Sequence, residues 1–225
     1  MQRNHRLRRP GAIFLAAGLA GLVLAAAPAA ALPLISEVFY DAVGADDGLL
    51  FVELSGEPGF VLDGLTLEGV NGSNGAVGPV ITLSGAIGAD GLFVVADTDS
   101  QGATAVPDAD QLANFDFQNG PDSVELHDGA SVLDAVGYGD FDPAEIFAGE
   151  GTPAPDAPPG SSLARIFADV DTDDNVLDFE VLAMPTPGAA AFVVPEPGTA
   201  TLMFTGLTSL WVLGRSKRRT QRRAH

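Results

Sequence analysis

Val124-Glu125-Leu126-His127, then Asp128-Gly129, then Val132-Leu133-Asp134-Ala135-Val136 is the stretch whose reading decides the fold. Two short apolar-rich runs flank Asp-Gly, a dipeptide suited to the tight turn of a β-hairpin because glycine tolerates the positive φ such turns need. In the first run Val124 and Leu126 share one face while Glu125 and His127 share the other, the period of two of a half-buried strand. The same alternation recurs outward in both directions. Strands are predicted at 34–40, 50–54, 61–68, 79–83 and 92–96. In 61–68, Leu65 and Leu67 point one way and Thr66 and Glu68 the other. Leu92-Phe93-Val94-Val95-Ala96 is apolar on both faces and is predicted to lie inside a sheet. Asn71-Gly72-Ser73-Asn74-Gly75 reads as a turn. The segment 149–160, with Pro153, Pro155, Pro158 and Pro159, reads as irregular loop. No long stretch between the ends has helical periodicity, so the expectation is an all-β sandwich.

The ends have a different composition. Arg3, Arg6, Arg8 and Arg9 precede an apolar segment, 11–24, and the small residues Ala29, Ala30 and Ala31 follow. This order predicts a signal peptide over 1–31, cut after Ala31 by signal peptidase. Pro10 directly after Arg8-Arg9 favours the general secretory route over the twin-arginine one. At the other end, 18 residues from 197 to 214 carry no charge. As a helix they span roughly 27 Å, close to the thickness of a bilayer core. Trp211 lies near the basic side, and Arg215, Lys217, Arg218, Arg219, Arg222 and Arg223 follow, which predicts a cytoplasmic end under the positive-inside rule. The predicted divisions are a signal peptide at 1–31, a β-domain at 32–192, a short motif at 193–198, a membrane helix at 199–214 and a basic tail at 215–225.

These ends conceal the charge of what lies between. The chain carries 11 basic and 30 acidic residues, a formal net charge of −19. Ten of the basic residues lie in the two ends, leaving Arg165, against 29 acidic residues, in the central domain. Its formal charge is therefore about −28, which repels nucleic acid and excludes a nucleic-acid partner. The chain has no cysteine, so the domain has neither disulfide nor thiol chemistry to draw on.

Two resemblances follow from these residues. Val194-Pro195-Glu196-Pro197-Gly198, the apolar segment and the basic run together resemble the PEP-CTERM sorting signal. That resemblance implies processing by an exosortase, a membrane-embedded cysteine transpeptidase, and transfer or release at the cell surface, commonly alongside exopolysaccharide. The central domain resembles the lamin-tail domain, an immunoglobulin-like β-sandwich. The matching pieces begin with Ile35-Ser36-Glu37-Val38-Phe39-Tyr40-Asp41, Phe51-Val52-Glu53-Leu54 and Leu62-Asp63-Gly64-Leu65-Thr66-Leu67. They continue with Gln118-Asn119-Gly120-Pro121-Asp122-Ser123-Val124-Glu125-Leu126 and Asp134-Ala135-Val136-Gly137-Tyr138-Gly139. The last are Ser162-Leu163-Ala164-Arg165, Asp178-Phe179 and Pro185-Thr186-Pro187-Gly188. Leu65 stands where that family usually has Trp.

Chemistry-bearing clusters are few. In 169–180, Asp169, Asp171, Asp173, Asn175 and Glu180 fall at positions 1, 3, 5, 7 and 12 of a calcium-loop register, which makes Ca²⁺ the one cofactor the residues suggest. Asp174 occupies the position that needs glycine, and prolines follow where a helix belongs. The competing reading is an acidic loop whose Asp and Asn side chains bond the backbone of their own turns. The lamin-tail resemblance implies the same, since that family carries a similar segment there. Asp41, Asp46, Asp47 and Glu53 could serve acid–base work as in glycosidases, though the resemblance gives Glu53 a structural role. His127 is expected beside Glu125 on an outward face rather than in a triad. The expectation is a non-enzymatic surface or matrix protein with a structural or binding module. A secreted calcium-dependent hydrolase and a calcium-binding adhesion module are the alternatives.

Overall fold

The computed structural model describes residues 31–189. The predicted signal segment up to Ala30, with Ala29, lies outside the described residues, as do the sorting motif, the membrane helix and the basic tail. Among the described residues no helix is long and apolar enough to cross a membrane.

The described chain is all-β, with ten strands in two sheets. The strands are β1 Leu34–Phe39, β2 Phe51–Ser55, β3 Thr66–Asn71, β4 Val77–Thr82, β5 Leu92–Asp97, β6 Gln111–Ala113, β7 Asp122–Asp128, β8 Ser131–Tyr138, β9 Ser162–Arg165 and β10 Phe179–Leu182. One four-residue helix, α1 Asn175–Asp178, precedes β10. The larger sheet has the order β10-β9-β1-β2-β5-β6 and the smaller β4-β3-β7-β8. Neighbours pair antiparallel except β5 and β6, which are parallel. Ile35, Val38, Val52 and Leu54 of the larger sheet and Leu67, Val124, Leu126 and Val136 of the smaller are all fully buried in one apolar cluster, so the two sheets share a core in the manner of a sandwich.

The hairpin that opened the reading is β7–β8, with Gly129 at φ +60 in its turn. Every residue of β5 is buried, and it lies one strand in from the edge, as its two apolar faces predict. One expected strand is divided. Only 66–68 of the predicted 61–68 segment becomes strand, extended by three residues to form β3. Asp63-Gly64 breaks it: Gly64 has φ +88, the Leu65 amide turns back to the Leu62 carbonyl at 3.0 Å, and Val61 makes a single bridge to Ala86. Leu65 is still buried in the core beside that turn. Strands β6, β9 and β10 gave no sequence signal. In β9 the polar ends Ser162 and Arg165 are both buried, which disguises the alternation.

Close packing explains part of the glycine pattern. A Cβ on Gly137 would lie 2.2 Å from the Phe147 ring, so β8 must leave that position bare. Next to it Tyr138 stacks on Tyr40 at 4.0 Å, tying β8 to the residue that follows β1 in the other sheet.

Candidate functional site

Two buried polar networks organise the domain, and both are built from residues far apart in sequence. The first centres on Arg165, the single Lys or Arg between the ends and almost wholly buried. Its Nη2 donates to both oxygens of Asp134, at 2.8 and 2.9 Å. Nη1 donates to Asp178 at 3.1 Å, to the Val170 carbonyl at 3.1 Å and, at the limit of bonding distance, to Asp171 at 3.5 Å. Nε donates to the Ile35 carbonyl at 3.0 Å, and the guanidinium lies 4.6 Å from the centre of the Phe179 ring. Asp134 also accepts the Ile35 amide, while Asp178 accepts the Thr172 amide and hydroxyl. The planar fork of arginine suits this environment because it satisfies several acceptors at once in fixed directions.

Glu150 stands beside this group. One oxygen each of Asp134, Glu150 and Asp171 lies within 4.8 Å of the others, and Glu150 Oε2 is buried without a hydrogen-bond partner. Burial, then the charges of Asp134 and Asp171, push the Glu150 carboxyl up to about 8 against the counter-pull of Arg165. The cluster carries its own cation, the Arg165 guanidinium, already bonded to Asp134 and Asp171.

Of the calcium-loop residues predicted from sequence, Asp171 alone belongs to this three-carboxylate group. Asp169, Asp171, Asp173 and Glu180 are exposed, whereas Asn175 is fully buried and turned inward. Its Oδ1 accepts the amides of Gly137 and Glu150, both at 2.9 Å, and its Nδ2 donates to the Ala135 carbonyl at 2.8 Å. Asp171 accepts the Asp173 amide and Asp174 the Thr152 amide, the backbone-bonding role of the competing reading. Asp173 adopts φ +55, a left-handed position that Asp tolerates better than most residues. Glu180 lies on β10 opposite Ala164. Replacing Asn175 with Ala would remove the partner of three backbone groups, two of them in buried bonds. A loss of about 2–3 kcal/mol is expected in urea unfolding, and an unchanged midpoint would refute the role assigned to this side chain.

The second network joins Glu37 and Glu53, register partners on β1 and β2 and both buried. Glu53 accepts the Ser36 hydroxyl and the Gly188 amide, each at 2.8 Å. Glu37 accepts the Ser162 hydroxyl, the Thr186 amide at 2.9 Å and the Thr186 hydroxyl at 2.7 Å. Burial, with smaller pushes from Glu37 and Asp90, raises the Glu53 carboxyl to about 7, against the Ser36 and Gly188 hydrogen bonds. Asp41 belongs to a different neighbourhood, where burial and then Asp46 and Asp156 raise its carboxyl. Asp46 accepts the Ala42 amide at 2.7 Å. Glu53 and Asp41 thus have different acidic neighbours. His127 bonds Glu125 at 2.9 Å, as the alternation predicts.

A cavity of about 160 Å³ lies elsewhere, lined by parts of β3 and β4 with Phe117, Gln118, Asp122 and Tyr138. Asp122 is committed there to the Gly72 amide at 2.6 Å. The fold and these networks define a cysteine-free, acidic, two-sheet β-domain whose buried carboxylates serve as internal acceptors. No protein-family profile, no curated protein and no solved structure matches the chain.

Proposed function

We propose that the chain is exported, held briefly in the membrane by 199–214, and sorted to the cell surface by an exosortase acting at Val194-Pro195-Glu196-Pro197-Gly198. There its domain, an immunoglobulin-like sandwich of the lamin-tail type, serves as a structural or binding module of the surface or matrix. The observation that carries this reading is the order of motif, apolar segment and basic run along 194–223, matched by the signal pattern over 1–31. The lamin-tail part draws support from convergence. Asp134, Arg165 and Asp178-Phe179 meet in one buried network, and Glu37, Glu53, Ser162, Thr186 and Gly188 in the other. All of them come from the sequence pieces that carry the resemblance.

A non-catalytic role agrees with the chemistry of the carboxylates. Those a hydrolase would recruit, such as Glu53 and Asp46, are engaged by hydroxyls and backbone amides. Binding to exopolysaccharide or another surface protein would run through loops and sheet edges. On the edge strand β4, Val77 and Val80 are exposed beside Pro79, which lacks an N–H and blunts uncontrolled strand pairing. Fractionation of cells expressing the intact chain and a chain truncated before Val194 tests the sorting. The intact protein is expected at the surface or in the medium and the truncated one retained in the soluble periplasmic fraction. Identical distributions would sink the reading.

A further inference from the structure

We propose that residues 183–189 are a latch that sets how far the sorting motif can stand from the domain, so that latch release governs how fast the motif is processed. This inference rests on the sorting reading above.

The latch follows β10 and crosses the paired glutamates. Glu37 and Glu53 face each other on adjacent strands, an arrangement that repels when both are charged. Buried carboxylates also need donors, because burial without hydrogen bonds is strongly unfavourable. Five donors reach this pair, and the latch supplies three of them: the Thr186 amide, the Thr186 hydroxyl and the Gly188 amide. Its sequence suits docking. Pro185 and Pro187 fix the backbone on either side of Thr186 and have no N–H to satisfy, so little freedom is lost when the segment lies down. The Ala189 amide closes a turn onto the Thr186 carbonyl at 3.0 Å. Gly188 has φ +77, and a Cβ there would meet Asp108 Cβ at 2.9 Å, so the latch fits tightly against the loop holding Asp108. Yet the segment buries little apolar surface, since Met184 is 78% exposed and Ala183 is exposed too. Segments held mainly by polar bonds at the surface open locally before the core does.

The consequence is one of reach. Pro195 is six residues beyond Ala189, so with the latch docked it can stand at most about 21 Å from that anchor. With the latch released the anchor becomes Leu182, and 13 residues reach about 46 Å. A body of the described size has a radius of gyration of roughly 15 Å and is about 40 Å across. Docked, the domain sits within half its own width of the motif and crowds any enzyme working there. Released, it clears that space.

Pulse-chase of the full-length chain, in cells that process it, measures conversion of precursor to product. Two variants separate reach from folding. Thr186→Val with Gly188→Val removes a donor and forces a clash, releasing the latch. A ten-residue Gly/Ser insertion after Ala189 leaves the latch intact and lengthens the tether. Each is expected to shorten the precursor half-life by about threefold or more, as tether length controls encounter. Hydrogen exchange at Thr186 and Gly188 should accelerate in the first variant and stay at the wild-type rate in the second. An insertion variant processed at the wild-type rate overturns the latch, even where the double variant misfolds. If truncation before Val194 abolishes sorting while the insertion changes nothing, sorting stands and the latch falls. If truncation changes nothing, both fall.

Discussion

Arg165→Ala is expected to lower the stability of the purified protein by roughly 3–5 kcal/mol, read as a shift in urea or thermal unfolding. The size follows from what the guanidinium neutralises. Asp134 and Asp178 are buried with it, and Asp171 lies at bonding distance. Removing one partner of a buried ion pair leaves an uncompensated charge, which is more harmful than never having built the pair. Arg165→Lys should recover little of the loss. One ammonium has three donors and no planar fork, whereas the arginine reaches Asp134, Asp178 and the Ile35 and Val170 carbonyls together. Arg165→Met combined with Asp134→Leu should be closer to wild type than Arg165→Ala, since both charges of the central pair then vanish. Arg165→Ala unfolding within 1 kcal/mol of wild type would refute the account.

Raising the pH from 5 to 8 should destabilise the domain, with a fall in Tm on the order of 10 °C. Glu53 is raised from 4.5 to about 7 and Glu150 from 4.5 to about 8. For an acid raised on folding, the folded state holds the proton more tightly. The stabilisation is complete below the unfolded value and is lost as pH climbs through the folded one. The window therefore runs from about 4.5 to about 7 for Glu53 and to about 8 for Glu150. Glu53 is fully buried, and its shift corresponds to roughly 3 kcal/mol. Glu150 is part-exposed, so solvent screening reduces its share to about 1 kcal/mol. Glu53→Gln keeps one acceptor for the Gly188 amide and should flatten the profile. A Tm that rises between pH 5 and 8 would contradict both assignments. Loss of surface charge works in the same sense, as protonating a domain with 29 acidic residues relieves self-repulsion.

The sheet architecture was legible because its signal is local. The period-two alternation in 124–127 and 132–136, the Asp128-Gly129 turn and the two-faced apolar run at 92–96 each became the element they predicted. The division of 61–68 was legible in principle, since Asp63-Gly64 is itself a turn signal. Strand β9 was not, because a buried arginine and a buried serine mimic solvent-facing positions. The calcium register at 169–180 was a true spacing, but spacing does not say which way Asn175 turns. Its amide is used inward on Gly137, Glu150 and Ala135.

By itself, the sequence determined the β character, the split between basic ends and acidic domain, and the absence of any disulfide. Each is a property of composition or of neighbours within a few residues. The tertiary structure alone decided that Arg165 would neutralise Asp134, 31 residues away, and that Glu37 would accept from Thr186, 149 residues away. An aspartate looks the same in sequence whether water or an arginine solvates it. Only folding removes the water, and a desolvated carboxylate must then find donors wherever the chain happens to bring them. In a domain without cysteine, those buried polar bonds do the work of tying distant segments of the chain together.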